Sequence, residues 1–128
     1  MSQEVKTTFE YNGATYEFDI RDADQSEIFE TAIGEMEKEE KSLPKDGKAS
    51  AIIRAQCGML KKFFDRIFGE GAGDAICTEK SNISVCYAAY EAFLLMVREQ
   101  KEDIIGAKNV FAKYSNRQQR RAAEKAHK

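Results

Sequence analysis

Lys6-Thr7-Thr8-Phe9-Glu10-Tyr11-Asn12-Gly13-Ala14-Thr15-Tyr16-Glu17-Phe18-Asp19-Ile20 is the stretch from which the fold can be read. Apolar and polar residues alternate on both sides of Asn12-Gly13, the period of a strand with one buried face. Asn-Gly tolerates the positive φ that a two-residue type I′ turn demands, so the segment predicts a β-hairpin over residues 5–20. Setting Tyr11 against Ala14 places Phe9 opposite Tyr16, Thr7 opposite Phe18 and Val5 opposite Ile20 on one face. Glu10 with Thr15, Thr8 with Glu17 and Lys6 with Asp19 then occupy the other. A slip of one residue would turn every aromatic into water, which fixes the register. A lone hairpin is marginal in water, so its apolar face must lie on helices.

Working outward, Asp24 reads as a helix N-cap with Glu27 closing a capping box. The helix behind it runs to about Ser42, with Ile28, Phe29, Ala32, Ile33 and Met36 inward. Leu43-Pro44-Lys45-Asp46-Gly47 breaks the chain. A second helix spans about Ser50 to Phe68 on a stripe of Ile53, Cys57, Leu60, Phe64 and Ile67, widened by Ile52, Met59, Phe63 and Phe68, and Gly69 ends it. A short helix near Asp74–Thr78 follows. Ser81 or Asn82 then caps a longer one to about Gln100, whose run Ala92-Phe93-Leu94-Leu95-Met96-Val97 is apolar on every side. Ile104, Ile105, Val110, Phe111 and Tyr114 suggest a further helix. The expected fold is α+β: an N-terminal antiparallel hairpin packed on a bundle of four to five helices, one domain over 1–114, and a basic, partly disordered tail over 115–128.

The 128 residues are 42% hydrophobic and 33% charged, which is too apolar for general disorder and long enough for a real core. No run of 18 apolar residues predicts a membrane span, and the first residues lack the apolar region of a signal peptide, so a cytoplasmic protein is expected. The net charge of −2 hides an asymmetry. From Lys113 onward six basic residues face one acid, whereas residues 1–112 carry 14 basic and 21 acidic groups.

Chemistry-bearing patterns are few. Cys57, Cys77 and Cys86 contain no CxxC, and the single histidine, His127, stands at the far end, so buried reduced thiols are expected rather than a metal site or a Cys–His nucleophile. Gly69-Glu70-Gly71-Ala72-Gly73 follows a helix and lacks phosphate-loop spacing. Asp22-Ala23-Asp24 begins like a calcium loop but has Glu27 where glycine is required and Ile33 where glutamate is required. Neither a cofactor nor an enzymatic activity is predicted. Phe63, Phe64, Phe68, Tyr87, Tyr90, Phe93, Leu94 and Met96 supply more apolar surface than two amphipathic stripes need, which makes them candidate protein-binding residues. Arg117, Arg120, Arg121 and Lys125, at helical spacing, form a candidate basic stripe.

Three stretches carry a resemblance: Phe9-Glu10-Tyr11-Asn12-Gly13-Ala14-Thr15-Tyr16-Glu17-Phe18-Asp19; Ile53-Arg54-Ala55-Gln56-Cys57 with Phe63-Phe64-Asp65-Arg66-Ile67-Phe68-Gly69-Glu70-Gly71; and Tyr114-Ser115-Asn116-Arg117-Gln118-Gln119-Arg120-Arg121-Ala122. Together the chain resembles short prophage proteins of Gram-positive bacteria that are similar to the tail assembly chaperones of long-tailed phages. The resemblance implies a helical protein of the bacterial host cytoplasm that binds the tape-measure protein during tail morphogenesis, without catalysis and with possible self-association. The alternatives are a structural virion component (a tail-completion or head–tail connector protein) and a nucleic-acid-binding accessory protein acting through the basic tail. Neither membrane nor nucleic acid is the favoured partner.

Overall fold

The computed structural model of the chain describes residues 5–126, and the side chains of residues 5–104. Two strands, β1 (Thr8–Tyr11) and β2 (Ala14–Glu17), pair antiparallel. Among the described residues four helices follow: α1 (Ala23–Lys41), α2 (Ala49–Phe68), α3 (Ala72–Cys77) and α4 (Ile83–Ala126). The architecture is the α+β arrangement that the hairpin and helical stripes predict.

The hairpin adopts the register its alternation demands. Tyr11 pairs with Ala14, Phe9 with Tyr16, Glu10 with Thr15 and Thr8 with Glu17. Asn12 and Gly13 form the turn at φ 50° and 80°, the left-handed values of a type I′ loop. Phe9 and Phe18 are buried and Tyr11 and Tyr16 half-buried, whereas Glu10, Thr15 and Glu17 face water. The Asn12 side chain also donates from Nδ2 to the Ile76 carbonyl, tying the turn to α3.

The outer end of the hairpin differs from the expected pairing. One more backbone bond, Phe18 N–H to Thr7 O at 2.8 Å, extends the ladder. Beyond it the strands part, and the Gln100 side chain from α4 stands between them in place of the Lys6–Asp19 and Val5–Ile20 pairs. Its Oε1 accepts from the Ile20 N–H (2.7 Å), and its Nε2 donates to the Lys6 O (2.7 Å) and the Phe18 O (2.9 Å). Gln100 is wholly buried and acts as a surrogate strand segment.

The cap of α1 is Asp22, not Asp24: its carboxylate accepts from the Asp24 N–H at 2.9 Å. The Asp22 N–H closes a turn on the Asp19 O (3.1 Å), so the chain is already bent into the helix two residues before the capping-box signature. Phe29, Ala32 and Met36 are the buried side of α1, while Ile28, assigned to that stripe from sequence, is 44% exposed. Gly69 ends α2 at φ 108°, as expected of a terminator. Asn82, of the two candidates, caps α4, accepting from Ser84 and Val85 N–H at 3.0 and 3.3 Å.

From there α4 runs without a break through Gln100–Asp103, where sequence suggested a boundary and a separate helix. At about 1.5 Å per residue, its 44 residues make a rod about 66 Å long. The polar run contains Gln100, which is used inside the fold, and Asp103, which accepts from Arg21 at 2.9 Å. The candidate tail residues Arg117, Arg120, Arg121 and Lys125 lie on this helix, and their side chains are outside the described residues.

Gly73 sets the closeness of α3 to α2. A Cβ there would fall within 2.6 Å of the Lys61 Cα, leaving no room for any larger residue. The Gly73 N–H donates to Asp65 Oδ1 (2.7 Å), and Lys61 Nζ pairs with Asp74 at 3.1 Å.

Candidate protein-binding surface

The eight candidate binding residues do not share a surface. Phe63, Phe64, Phe93 and Met96 are core, and Phe68, Tyr90 and Leu94 are half-buried. Tyr87, 38% exposed, is the one that faces solvent. The expectation that helices and hairpin could not seal this much aromatic surface fails because the hairpin brings aromatics of its own. Phe9 stacks on Phe64 and Phe68 at ring separations of 6.1 and 6.4 Å, Tyr16 on Phe68 at 4.6 Å, and Phe18 meets Phe93 edge-on at 5.2 Å. Phe93 lies at the centre, touching Phe9, Phe18, Phe29, Phe63, Phe64 and Phe68. Offset and edge-to-face pairs of this kind add to the gain from burial.

Among the described residues, the large apolar side chains that remain exposed are Tyr87, Leu95 and Ile104 on α4 and Ile28 on α1. Leu95 (48% exposed) and Ile104 (41%) were not among the candidates. The signal for Leu95 was in the run Ala92–Val97, since six consecutive apolar residues span more than one helical turn and one must point outward. Leu95 stands among exposed Glu91, Arg98 and Glu99, an apolar side chain in a charged setting. Tyr90 packs edge-on against Phe63 at 5.3 Å, and its phenol titrates above its ordinary range, first because it is buried and then because Glu40, Tyr87 and Glu37 place negative charge within reach.

Cys57 of α2, Cys77 of α3 and Cys86 of α4 converge in the core, all three fully buried and reduced. Burial pushes the Cys57 thiol up to about 11, with Cys86 next to it, and raises Cys77 and Cys86 as well. Thiols held protonated in this way are poor nucleophiles and poor ligands. Among the described residues no cluster of three or more His, Cys, Asp or Glu is placed to hold a metal, and no helix is long and apolar enough to cross a membrane. The Gly69–Gly73 stretch serves as terminator and packing contact.

A family model matches residues 12–124, from the hairpin turn almost to the end of α4. The chain belongs to DUF6673, a family of unknown function. No curated protein and no solved structure matches it. The segment matched by the DUF6673 model contains Gln100, Phe93, the three thiols and the exposed residues Tyr87, Leu95 and Ile104 of α4, whereas β1 and the Lys6 and Thr7 carbonyls precede it.

Proposed function

We propose that this DUF6673 protein is a non-catalytic phage tail assembly chaperone that holds the tape-measure protein in the bacterial cytoplasm during tail morphogenesis. The observation that carries the reading is the exposure of Tyr87, Leu95 and Ile104 on the long helix α4, whereas the other large apolar side chains of the described residues, Ile28 apart, are buried or partly buried. A long, apolar, helical client aggregates if left bare, and apolar side chains presented on more than one side of a charged helix give it separate places to dock. The resemblance of the hairpin, the Ile53–Gly71 stretch and the Tyr114–Ala122 stretch to tail chaperones supplies the identity of the client.

The test is co-expression with the tape-measure protein and recovery of the complex. Leu95→Glu and Ile104→Glu alter exposed positions, so the far-UV circular dichroism of each variant is expected to match the parent. Both variants should lose most of the recovered client and leave it insoluble. Folded variants that retain the client as tightly as the parent would overturn the proposal.

A further inference from the structure

Among the described residues, two glycines sit in mid-helix without an internal reason. Glycine is the least favoured helix residue after proline, and a packed helix normally keeps one only where a side chain would collide. At Gly73 that collision exists. At Gly34 in α1 and Gly58 in α2, a Cβ would meet nothing within 4 Å, and the backbone at each has ordinary helical hand.

Each glycine stands between two like charges one turn away on either side. In α1 the sequence Glu30-x3-Gly34-x2-Glu37 places two carboxylates about 10.5 Å apart along the axis. In α2 the sequence Arg54-x3-Gly58-x3-Lys62 places two cations about 12 Å apart. All four charged residues are exposed, and none forms an ion pair among the described residues. Opposite charges at nearly equal spacing, each pair flanking a notch, are the pattern of two helices that cross closely.

Within one chain these faces do not meet. Glu39 of α1, not Glu30 or Glu37, is the α1 carboxylate that pairs with a cation of α2, Arg66, and Glu30, Glu37, Arg54 and Lys62 are left exposed. Between α1 and α2, on the Lys38 side, lies an open groove of about 520 Å³. Leu43 and Met59 line it as apolar surface and Gly58 opens it; its one carboxylate, Glu39, is paired with Arg66, and Lys38 with Glu35, so the unpaired charges on its rim are the cations Arg54 and Lys62. A rim of this sign on a body that is otherwise acidic selects an acidic occupant. Cations two turns apart suit carboxylates spread along a helix better than a single compact anion.

We propose that this groove receives α1 of a second copy of the chain, with Glu30, Gly34 and Glu37 of one copy lying along Arg54, Gly58 and Lys62 of the other. The two surfaces are different, so the contact is heterologous and repeats from copy to copy, closing into a ring or extending as a filament. Leu95 and Ile104 take no part in it, and the assembly forms without any client.

Sedimentation of the purified full-length protein tests this. The parent is expected to form species heavier than the monomer as concentration rises at low ionic strength, and to lose them in high salt. The groove variant Arg54→Glu/Lys62→Glu and the stripe variant Glu30→Lys/Glu37→Lys should each remain monomeric. Mixing the two should restore assembly, because each reversed face then meets its complement. Recovery on mixing also shows that both variants fold. Gly58→Leu, which fills the groove without changing charge, should give the same loss. A parent that is monomeric throughout, reversed variants that assemble like the parent, or a mixture that stays monomeric would each overturn the proposal. Because no tape-measure protein is present, any of these results leaves the client reading to its own test.

Discussion

Gln100→Leu is expected to lower the free energy of unfolding by about 3 kcal/mol, measured by urea denaturation monitored by circular dichroism. Leucine has similar volume and keeps the packing but makes none of the three hydrogen bonds to Ile20, Lys6 and Phe18. The loss stays as large as three ordinary bonds, although leucine is the more apolar side chain, because the Ile20 N–H and the Phe18 carbonyl are buried and find no water in exchange. Gln100→Glu separates this from any loss of shape. Its carboxylate would face two carbonyl oxygens, so its pKa in the folded state would be raised above the unfolded value. Sign follows from that: the variant should approach the parent below the unfolded carboxyl pKa of about 4.3 and lose stability as pH rises from there through the folded pKa. A Gln100→Leu protein as stable as the parent would mean that the strand ends do not need their bridge.

Phe93→Ala is expected to cost about 4 kcal/mol, or a fall in Tm of about 15 °C for a domain of this length. The ring is wholly buried and meets six other aromatic rings from the hairpin, α1 and α2, so its removal leaves a cavity that several elements share. Rigid rings collapse poorly into such a space, which places the site towards the costly end of large-to-small substitutions. Phe93→Leu should recover roughly half of the loss. Thermal unfolding followed at 222 nm reads both, and a Phe93→Ala variant within about 1 kcal/mol of the parent would show that the core repacks around the void.

From Thr7 to Phe18 the hairpin was legible to the residue because two independent constraints coincide there: a period of two that admits one buried face, and an Asn-Gly pair that admits one turn; the outer pairs expected beyond it give way to Gln100. The stripe of α2 was legible for the same reason, since its period and its terminating Gly69 agree. The cap of α1 was misplaced because Asp22 and Asp24 both fit the chemistry, and the choice fell to the Asp19–Asp22 turn, a backbone bond with no side-chain signature. The length of α4 was missed because Gln100-Lys101-Glu102-Asp103 reads as a polar boundary. The helical register nevertheless carries Gln100 one turn beyond Met96 and Val97 on the buried side, where a lone amide among charged residues gives no hint that strand ends await it. The candidate surface was the least legible part. Phe63, Phe64 and Phe93 look surplus until the aromatic face of the hairpin is set against them, and that match is a property of tertiary structure.

Cys57, Cys77 and Cys86 give the protein an internal clock. Each sulfur comes from a different helix, and each is sealed and held protonated while the helices are together. Alkylation of any of them must therefore wait for its helix to separate from the others, and the order of labelling becomes a record of the order of opening. A molecule that opens as one body would lose all three thiols at one rate. One that releases the six-residue α3 first would surrender Cys77 while Cys57 and Cys86 still shelter between α2 and α4.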